Sequence, residues 1–417
     1  MSFTRGQVAW LSSHPEEVAV ASGLELSASS RLADLTLLRR LTADSGDPAG
    51  LSRAVVELVT ARRAARRGVK IPDGPDGSPR EDWMVCTDSA QQATPVAVAR
   101  VRARHLARTA RGAVVADVTC SVGTELASLS TVDGIGTVVG ADLDPARLAM
   151  AQLNVPGVPL VRADAVDPAL DCDVVVADPA RRTGRGRVLS PENLVPPLPD
   201  LVRAWRSRGC ELAVKCAPGI DYSEWEGQVD VVGIAGGGHG VHGVPGVKEV
   251  CLYTPGLATC ARRAVVVGAS ETGELTSEDP ESVEVGPVGR YILDPDGAVV
   301  RAGLVRRYAA RLGWWRIDPH IAYLSGDRLD GSVRRSMMPG QRVFEVLETV
   351  PVKKLGPVLK ARGCGSLEIL VRGVEVDPDR LRRKLRSAGA LRGDAAFTVV
   401  LARVGRSPVA ALCRVTT

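Results

Sequence analysis

Four aspartates stand at or just after the ends of short apolar runs, where their carboxylates can do chemistry together. They are Asp117, Asp142, Asp164 and Asp178. Apolar runs of four to six residues, separated by helix-length segments, are typical of parallel strands buried on both faces of an α/β sheet. The carboxyl ends of such strands meet at one rim, where open α/β folds bind ligands. We therefore expect the four carboxylates to line one binding site.

The first run leads into a turn of small residues, DVTCSVGTE, from Asp117 to residue 125. Thr119, Cys120 and Gly123 lie in this turn, and a helical pattern follows it. Amides at the start of a helix can receive an anionic group. Asp142 comes nineteen residues after Gly123, the distance at which an acid binds ribose hydroxyls in nucleotide-binding folds. The pattern predicts a ligand with a nucleoside and an anionic group.

Dinucleotide-binding dehydrogenases share the strand, turn, helix and distant acid. Their phosphate turn uses three glycines, whereas this turn has only Gly123. Asp164 and Asp178 also have no role in hydride transfer. The residues therefore favour a ligand without a pyrophosphate.

The order of these motifs resembles that of the class I S-adenosylmethionine (SAM)-dependent methyltransferases, and the turn is similar to the Asp-x-x-Cys-Gly-x-Gly-Thr loop of RNA methyltransferases. Three further segments and the basic C-terminal region resemble bacterial methyltransferases with a THUMP-like C-terminal domain. These segments are 91–95 (QQATP), 178–182 (DPARR) and 321–324 (IAYL). The resemblance spans nearly the whole chain. It implies a Rossmann-like α/β sheet, SAM as cofactor and RNA as substrate.

The resemblance also implies roles for individual residues. Asp142 would bind ribose, Asp164 would lie by the adenine amine, and Asp178 would border the transferred methyl group with Pro179 and Arg181. The complete implied cofactor set is Asp117, Thr119, Cys120, Gly123, Asp142, Leu143, Asp164 and Ala165.

Ser121 departs from the family pattern, which has glycine at this position. If the backbone there has a positive φ, serine costs about 1 kcal/mol relative to glycine. We expect a weakened turn that still forms.

The segment after Asp178 limits the choice of methyl acceptor. Methyl transfer from a sulfonium is an in-line displacement that needs alignment of the nucleophile and no metal. Enzymes that methylate exocyclic base amines commonly have an Asn/Asp-Pro-Pro motif followed by an aromatic residue. Here Asp178-Pro179 is followed by Ala180 and Arg181, with no aromatic residue. The Asp-Pro-x-Arg form is closer to that of the uridine C5 methyltransferases, whose nucleophilic cysteine lies near the end of the fifth strand. Cys216 lies in about that place, although a lone cysteine at a strand end is usually a buried apolar residue.

Two further groups have open roles. Arg181, Arg182, Arg185 and Arg187 either clamp substrate phosphates or belong to a solvated loop. His239 and His242 have no third ligand at a recognisable spacing, so we expect no metal site. The nine cysteines are scattered singly, which is typical of reduced thiols.

The chain divides into four predicted parts. Residues 1–80 form a helical N-terminal domain, 81–262 the methyltransferase domain, 263–340 a connector or extension, and 341–417 a small basic α+β domain. Within the second part, six apolar runs predict strands. They are 113–118, 138–141, 158–161, 174–177, 212–214 and 231–234.

Charge points to the partner. The chain has 53 Lys and Arg against 48 Asp and Glu, yet residues 341–417 alone have 15 against 7. A basic domain favours RNA as a partner, although exposed arginines on a solvated face give the same count. Two alternatives stay open: an RNA-binding adaptor with a degenerate methyltransferase domain, and a small-molecule methyltransferase, which the aromatic content of 3% favours. The N-terminal residues resemble no signal peptide and no apolar run is long enough to span a membrane, so we expect a cytoplasmic protein without membrane contact.

Overall fold

The computed structural model describes residues 3–74, 77–181, 190–236 and 245–416, apart from the side chains of Arg31 and Arg181. Arg182, Arg185, Arg187, His239 and His242 lie outside the described residues. The contacts divide the chain into two compact units. The first comprises Met1–Ile234 and His239–Ala261, and the second Ala235–Gly238 and Arg262–Thr417. None of the described helices is long and apolar enough to cross a membrane.

Four helices open the first unit. They are α1 (Arg5–Ser13), α2 (Pro15–Ser22), α3 (Arg31–Leu41) and α4 (Pro48–Arg67). Thr4 caps α1 through its side chain, and Asp47 caps α4 with proline at the first helical position. Leu11 and Leu58 pack in one core with Val122 and Met150, which belong to the following α/β region. The N-terminal helices therefore support the turn that begins at Asp117.

Seven strands of the first unit form an α/β sheet. They run in the order β8-β9-β7-β4-β1-β2-β3. The strands are β1 (Val114–Asp117), β2 (Thr137–Asp142), β3 (Leu160–Arg162), β4 (Val174–Ala177), β7 (Glu211–Cys216), β8 (Gln228–Ile234) and β9 (Gly246–Tyr253). Pairing is parallel from β7 to β3, whereas β9 is antiparallel to both of its neighbours, β7 and β8. The predicted Rossmann-like sheet is confirmed, and the six predicted strands all run in the same direction, although β9 lies between β8 and β7 and is antiparallel to both. Strand β9 was not predicted from the sequence.

The other elements of the first unit connect these strands. The helices are α5 (Thr87–Gln92), α6 (Val96–Thr109), α7 (Thr124–Ser130), α8 (Pro145–Asn154) and α9 (Leu198–Arg206), and the strands are β5 (Ala180–Arg181) and β6 (Leu194–Val195). The two short strands pair antiparallel after the end of β4.

The second unit begins with an antiparallel hairpin, β10 (Arg262–Val267) and β11 (Thr272–Thr276). A separate seven-stranded sheet follows, in the order β13-β14-β12-β15-β18-β17-β16. Its strands are β12 (Tyr291–Leu293), β13 (Trp315–Asp318), β14 (Ile321–Gly326), β15 (Val343–Pro351), β16 (Cys364–Arg372), β17 (Ala395–Val404) and β18 (Ser407–Thr416). Strands β12 to β14, from the segment expected to be a connector, thus pair in the same sheet as the C-terminal strands.

Five helices complete the second unit. They are α10 (Gly297–Arg301), α11 (Val305–Leu312), α12 (Gly331–Arg335), α13 (Leu355–Ala361) and α14 (Pro378–Ser387). Leu355 and Leu359 of α13 and Leu385 of α14 pack in one core with sheet residues such as Ile369 and Leu401. Helices α13 and α14 therefore cover one face of this sheet.

Candidate active site

A cavity of about 920 Å³ lies at the carboxyl ends of the parallel strands of the first unit. Small-molecule sites commonly enclose ~300–1,000 Å³. Strands β1 and β4 are neighbours here, and the chain proceeds from β1 to β3 in one direction along the sheet and from β4 to β7 in the other. The cavity therefore lies at the topological switch point, where open α/β sheets bind ligands.

The structure brings most of the predicted site residues together. Those that line the cavity are Asp117, Thr119, Cys120, Asp142, Leu143, Asp164, Ala165, Asp178 and Pro179. Gly123 is not among the described lining residues. Its backbone is left-handed, with φ of 85°, where it caps α7, and a Cβ there would stand 3.1 Å from Val155 Cγ2. The backbone of Arg181 lies in β5, and its side chain is outside the described part.

The turn after β1 contacts the acid at the end of β2. Ser121 has φ of 49°, and its N–H donates to Asp142 Oδ2 over 2.9 Å. The N–H of Asp144 donates to the other oxygen, Oδ1, also over 2.9 Å. Two backbone amides thus fix the orientation of the Asp142 carboxylate at the cavity wall.

Asp117, at the carboxyl end of β1, is a buried residue of the cavity wall. Its side chain is 3% exposed, and Oδ1 accepts a hydrogen bond from the N–H of Thr119 over 3.1 Å. Burial, together with the negative charge of Glu125, raises the pKa of Asp117 to about 8. Thr119 Oγ1 lies 3.4 Å from Asp117 Oδ1 and accepts the N–H of Asp178 over 2.7 Å. Thr119 therefore connects the carboxyl ends of β1 and β4.

Asp178 is paired with a lysine that was not predicted from the sequence as a site residue. Lys215, on β7, places Nζ 2.5 Å from Asp178 Oδ2. Burial lowers the pKa of Lys215, but the negative charges of Asp178 and Glu249 outweigh burial, and the pKa is raised above its ordinary value. The amine is therefore charged. The one feature of the sequence that could have drawn attention to Lys215 is the scarcity of lysine, since the chain has only seven.

A buried ion network supports the cavity floor, and sequence reasoning missed it. Arg102 of α6, 1% exposed, donates from Nε and Nη2 to the two oxygens of Glu125 over 2.8 and 2.7 Å. Its Nη1 donates to Glu249 of β9. Helix α6, helix α7 and strand β9 are thus joined beneath Asp117.

Cys216 lines the cavity but is 4% exposed. Burial, with smaller contributions from Cys251, Asp178 and Glu249, raises the pKa of the thiol far above its ordinary value. The positive charge of Lys215 lowers the pKa of the thiol but is outweighed, and because the nucleophilic form of cysteine is the thiolate, this environment disfavours Cys216 as a nucleophile. Within the described ranges, no group of three His, Cys, Asp or Glu side chains could hold a metal ion.

The lining fits SAM at the β1–β3 end. Leu143 is 57% exposed although it is a large apolar side chain, and it follows Asp142 directly at the cavity wall. An apolar surface beside a fixed carboxylate suits an adenine ring joined to a ribose. Asp164, held by a hydrogen bond from the N–H of Val166 to Oδ1 over 3.0 Å, lies at the same end.

Comparison with known proteins agrees with this geometry. The family model for the THUMP domain-like family matches residues 341–415. Two Mycobacterium tuberculosis proteins, from strains CDC 1551 and H37Rv, are each 45% identical to the chain over 336 residues and are described as uncharacterised SAM-dependent methyltransferases. The match covers 78% of this chain and 85% of each relative.

A crystal structure from Porphyromonas gingivalis W83, titled a putative methyltransferase, superposes on this chain with a TM-score of 0.66. The superposition covers 94% of this chain and 99% of that chain at 18% sequence identity, which shows a shared fold. The chain therefore belongs to the SAM-dependent methyltransferases, enzymes that use SAM as their cofactor.

Proposed function

We propose that the methyl acceptor is RNA and that the helical layer of the second unit, residues 352–362 and 378–387, binds it. This layer carries nine Lys and Arg against one acid, Asp379. That charge is the observation that carries the proposal. The match of the same region to the THUMP domain-like family supports it.

The charges of the layer are available to a partner. Arg362 pairs with Glu348 and Arg382 with Asp379, whereas no carboxylate of the described residues pairs with the other seven cations. These are Lys353, Lys354, Lys360, Arg380, Arg383, Lys384 and Arg386, and all are exposed. Because the leucines of both helices face the sheet, the cations face solvent. Such a surface can bind the phosphates of a nucleic acid, with release of their condensed counterions.

In the first unit, we assign cofactor binding to the β1–β3 end of the cavity. Asp142 would bind the ribose hydroxyls and Asp164 the adenine amine, beside Leu143. Asp117, Thr119, Cys120 and Ala165 would line the remaining wall, and Gly123 would hold the turn in shape. SAM supplies an electrophilic methyl group when it is bound.

We assign orientation of the acceptor to Asp178, with Pro179 and Arg181 beside it. Lys215 binds Oδ2 of Asp178, while no described side chain donates to Oδ1. This oxygen can accept a hydrogen bond from an N–H or O–H of the acceptor and so align its lone pair. No aromatic side chain stands among the described lining residues, which argues against a target base stacked as in exocyclic-amine methyltransferases.

The test uses the purified full-length enzyme with SAM whose methyl group carries deuterium. RNA from cells that lack the gene is incubated with the enzyme, and its nucleosides are analysed by mass spectrometry. We expect one deuterated methyl nucleoside, absent when the RNA comes from cells that keep the gene. The matched variant Asp178→Asn should lose most of the label while it still binds SAM in calorimetry.

Two outcomes would reject the proposal. Tight SAM binding without label in any RNA would favour a small-molecule methyltransferase. Absence of micromolar SAM binding would instead favour an RNA-binding adaptor with a degenerate catalytic domain.

A further inference from the structure

Charges along the cavity rim are sorted by strand. Following the sheet from β9 through β7, β4, β1 and β2 to β3, the charged lining residues at or next to the strand ends include Lys248, Lys215, Asp178, Asp117, Asp142 and Asp164. Glu249 of β9 also lines the cavity, but it is 1% exposed and its carboxylate is paired with Arg102. The β1–β3 end is therefore acidic, which suits the cofactor assigned to it. The β7–β9 end, beyond Asp178, is basic.

Lys70 adds a third ammonium group to the basic end. It lies after α4, and its Nζ donates to the carbonyl oxygens of Ala90 and Gln91 over 2.8 and 2.7 Å. Burial lowers the pKa of Lys70, and the charges of Lys215 and Lys248 lower it further, so the three ammonium groups lie within reach of one another electrostatically. Asp178 compensates the charge of Lys215, and a further anion would stabilise the charges of Lys70 and Lys248.

The local backbone is shaped to direct Lys70 into the cavity. Val69 has φ of 50°, a left-handed conformation that is costly for a β-branched residue. Gly68 leaves room for the lysine stem, since a Cβ there would stand 3.2 Å from Lys70 Cδ and Cε. Backbone strain of this kind persists where the surrounding structure enforces it, and it is concentrated at ligand sites.

Two of the three ammonium groups have no carboxylate partner among the described residues. Lys215 pairs with Asp178, whereas Lys70 binds only carbonyl oxygens and Lys248 donates to the carbonyl of Pro245 over 3.2 Å. An ammonium group has three N–H donors, so each retains at least one for a ligand.

We propose that Lys70 and Lys248 form a phosphate subsite at the basic end of the cavity. It would hold the phosphate next to the target nucleotide while Asp178 aligns the acceptor atom. The inference rests on the proposed action on RNA, which it deepens: the enzyme would recognise the target as a nucleotide within a phosphodiester chain.

The test compares nucleosides with their phosphates. Adenosine, cytidine, guanosine and uridine, and the 3′- and 5′-monophosphate of each, are titrated by calorimetry into the full-length enzyme saturated with S-adenosylhomocysteine. We expect at least one monophosphate to bind about tenfold or more tightly than its nucleoside, because a charge-assisted hydrogen bond contributes at least that factor. Lys248→Gln should remove much of the difference, and Lys70→Met combined with Lys248→Gln all of it.

Controls separate loss of the subsite from loss of the fold. Arg100→Gln removes one exposed positive charge from α6 in the same unit, away from the cavity, and should leave the difference unchanged. Each variant should bind S-adenosylhomocysteine within about twofold of the wild type, since the acidic end of the cavity is intact. If Lys70→Met disturbs the loop that Lys70 supports, Lys248→Gln alone still tests the subsite, because it should reduce the difference in affinity between monophosphate and nucleoside.

The outcomes are distinct from those of the RNA experiment. A phosphate-dependent difference that survives in the double variant, or its absence from the wild type, would overturn the subsite. A difference that depends on the two lysines, found in an enzyme that labels no RNA, would support the subsite and refute RNA as the acceptor. The acceptor would then be a small phosphorylated nucleoside.

Discussion

Ser121 shows how one residue can weaken a turn without preventing it. The family pattern has glycine here, and the observed φ of 49° is the conformation for which glycine is favoured. The N–H of Ser121 nevertheless donates to Asp142, so the backbone contact that the turn needs is made. The sequence predicted that serine would be costly here if the backbone had a positive φ, and the structure shows that it does.

Replacing Ser121 with glycine should stabilise the protein. We expect Ser121→Gly to raise the free energy of unfolding by about 0.5–1 kcal/mol, because relief of left-handed strain exceeds the added entropy of the unfolded chain. Ser121→Val should lower it by about 1 kcal/mol or more, since a β-branched side chain tolerates this φ poorly. Urea unfolding measures both, and Ser121→Ala should match the wild type. Equal stabilities of the glycine and valine variants would contradict a strained backbone.

Asp117 should make stability depend on pH. Its pKa is about 8 in the folded protein and near 4 in the unfolded chain, so between these values the folded state binds one more proton. The free energy of unfolding therefore falls as pH rises through this window, by at most about 1.4 kcal/mol per pH unit from this group. Below the window the contribution is constant.

Asp117→Asn, which mimics the protonated acid, should flatten that slope. Urea unfolding at pH 5.5, 6.5 and 7.5 compares the variant with the wild type. Asp173→Asn, which alters an exposed acid before β4, serves as the control and should keep the wild-type slope. Identical slopes for Asp117→Asn and the wild type would contradict a raised pKa.

Individual site residues differed in how visible they were in the sequence. The four aspartates could be predicted because each follows its own apolar strand. Lys215 and Arg102 could not be predicted, because each is identified by a partner that is distant in the sequence. Asp178 is 37 residues from Lys215, and Glu249 is 147 residues from Arg102. A pairing across such separations depends on strand order, which no local pattern encodes.

At the scale of elements, the Arg102 network joins α6, α7 and β9. Removing the arginine would leave Glu125 and Glu249, which line the cavity, without their cation, and unpaired buried charges are strongly destabilising. We expect Arg102→Leu to lower the free energy of unfolding by about 3–5 kcal/mol. Chemical denaturation measures the loss.

A neighbouring arginine provides the control. Arg104 lies on the same helix but is exposed, and Arg104→Leu should change stability by less than about 0.5 kcal/mol. A loss from Arg102→Leu as small as that would mean that water or a protonated carboxyl compensates for the missing guanidinium. The network would then not anchor the three elements.

Elements with one dominant pattern were predictable, and those with mixed patterns were not. The six predicted strands contain short apolar runs, of which β4 and β8 are buried throughout, whereas β2 and β3 near one edge of the sheet are partly exposed. Strand β9 begins with glycine and carries Lys248 and Glu249, so its apolar pattern is interrupted by the residues that contribute to the cavity. Helices α10 and α11 are separated at Gly303, whose φ of 75° is incompatible with a right-handed helix.

Across the whole molecule, lysine occurs in only two places. Of seven lysines, Lys70, Lys215 and Lys248 line the cavity of the first unit, and the other four lie in the helical layer of the second. Arginine provides nearly all other positive charge. The lysines are therefore concentrated in the two regions for which we propose contact with phosphate.

On the proposal that RNA is the methyl acceptor, the helical layer should determine the salt dependence of its binding. Each phosphate contact on single-stranded RNA contributes a slope of about 0.7 in log affinity against log salt. Replacing Lys353, Lys354, Arg383 and Lys384 with glutamine should therefore reduce the slope by up to ~3 and weaken binding at low salt. Fluorescence anisotropy with a labelled RNA that the enzyme methylates measures this, and calorimetry should show unchanged SAM binding.

The matched control removes the same net charge from arginines that already bind carboxylates. These are Arg203, Arg290, Arg306 and Arg328, which pair with Asp200, Glu345, Glu281 and Asp330. If only the total charge of the protein mattered, both quadruple variants would lose the same slope. If the helical layer contacts phosphates directly, its quadruple variant should lose most of the slope of log affinity against log salt, whereas the control should keep nearly all of it. The reason is that a guanidinium already neutralised by a carboxylate releases few counterions from RNA.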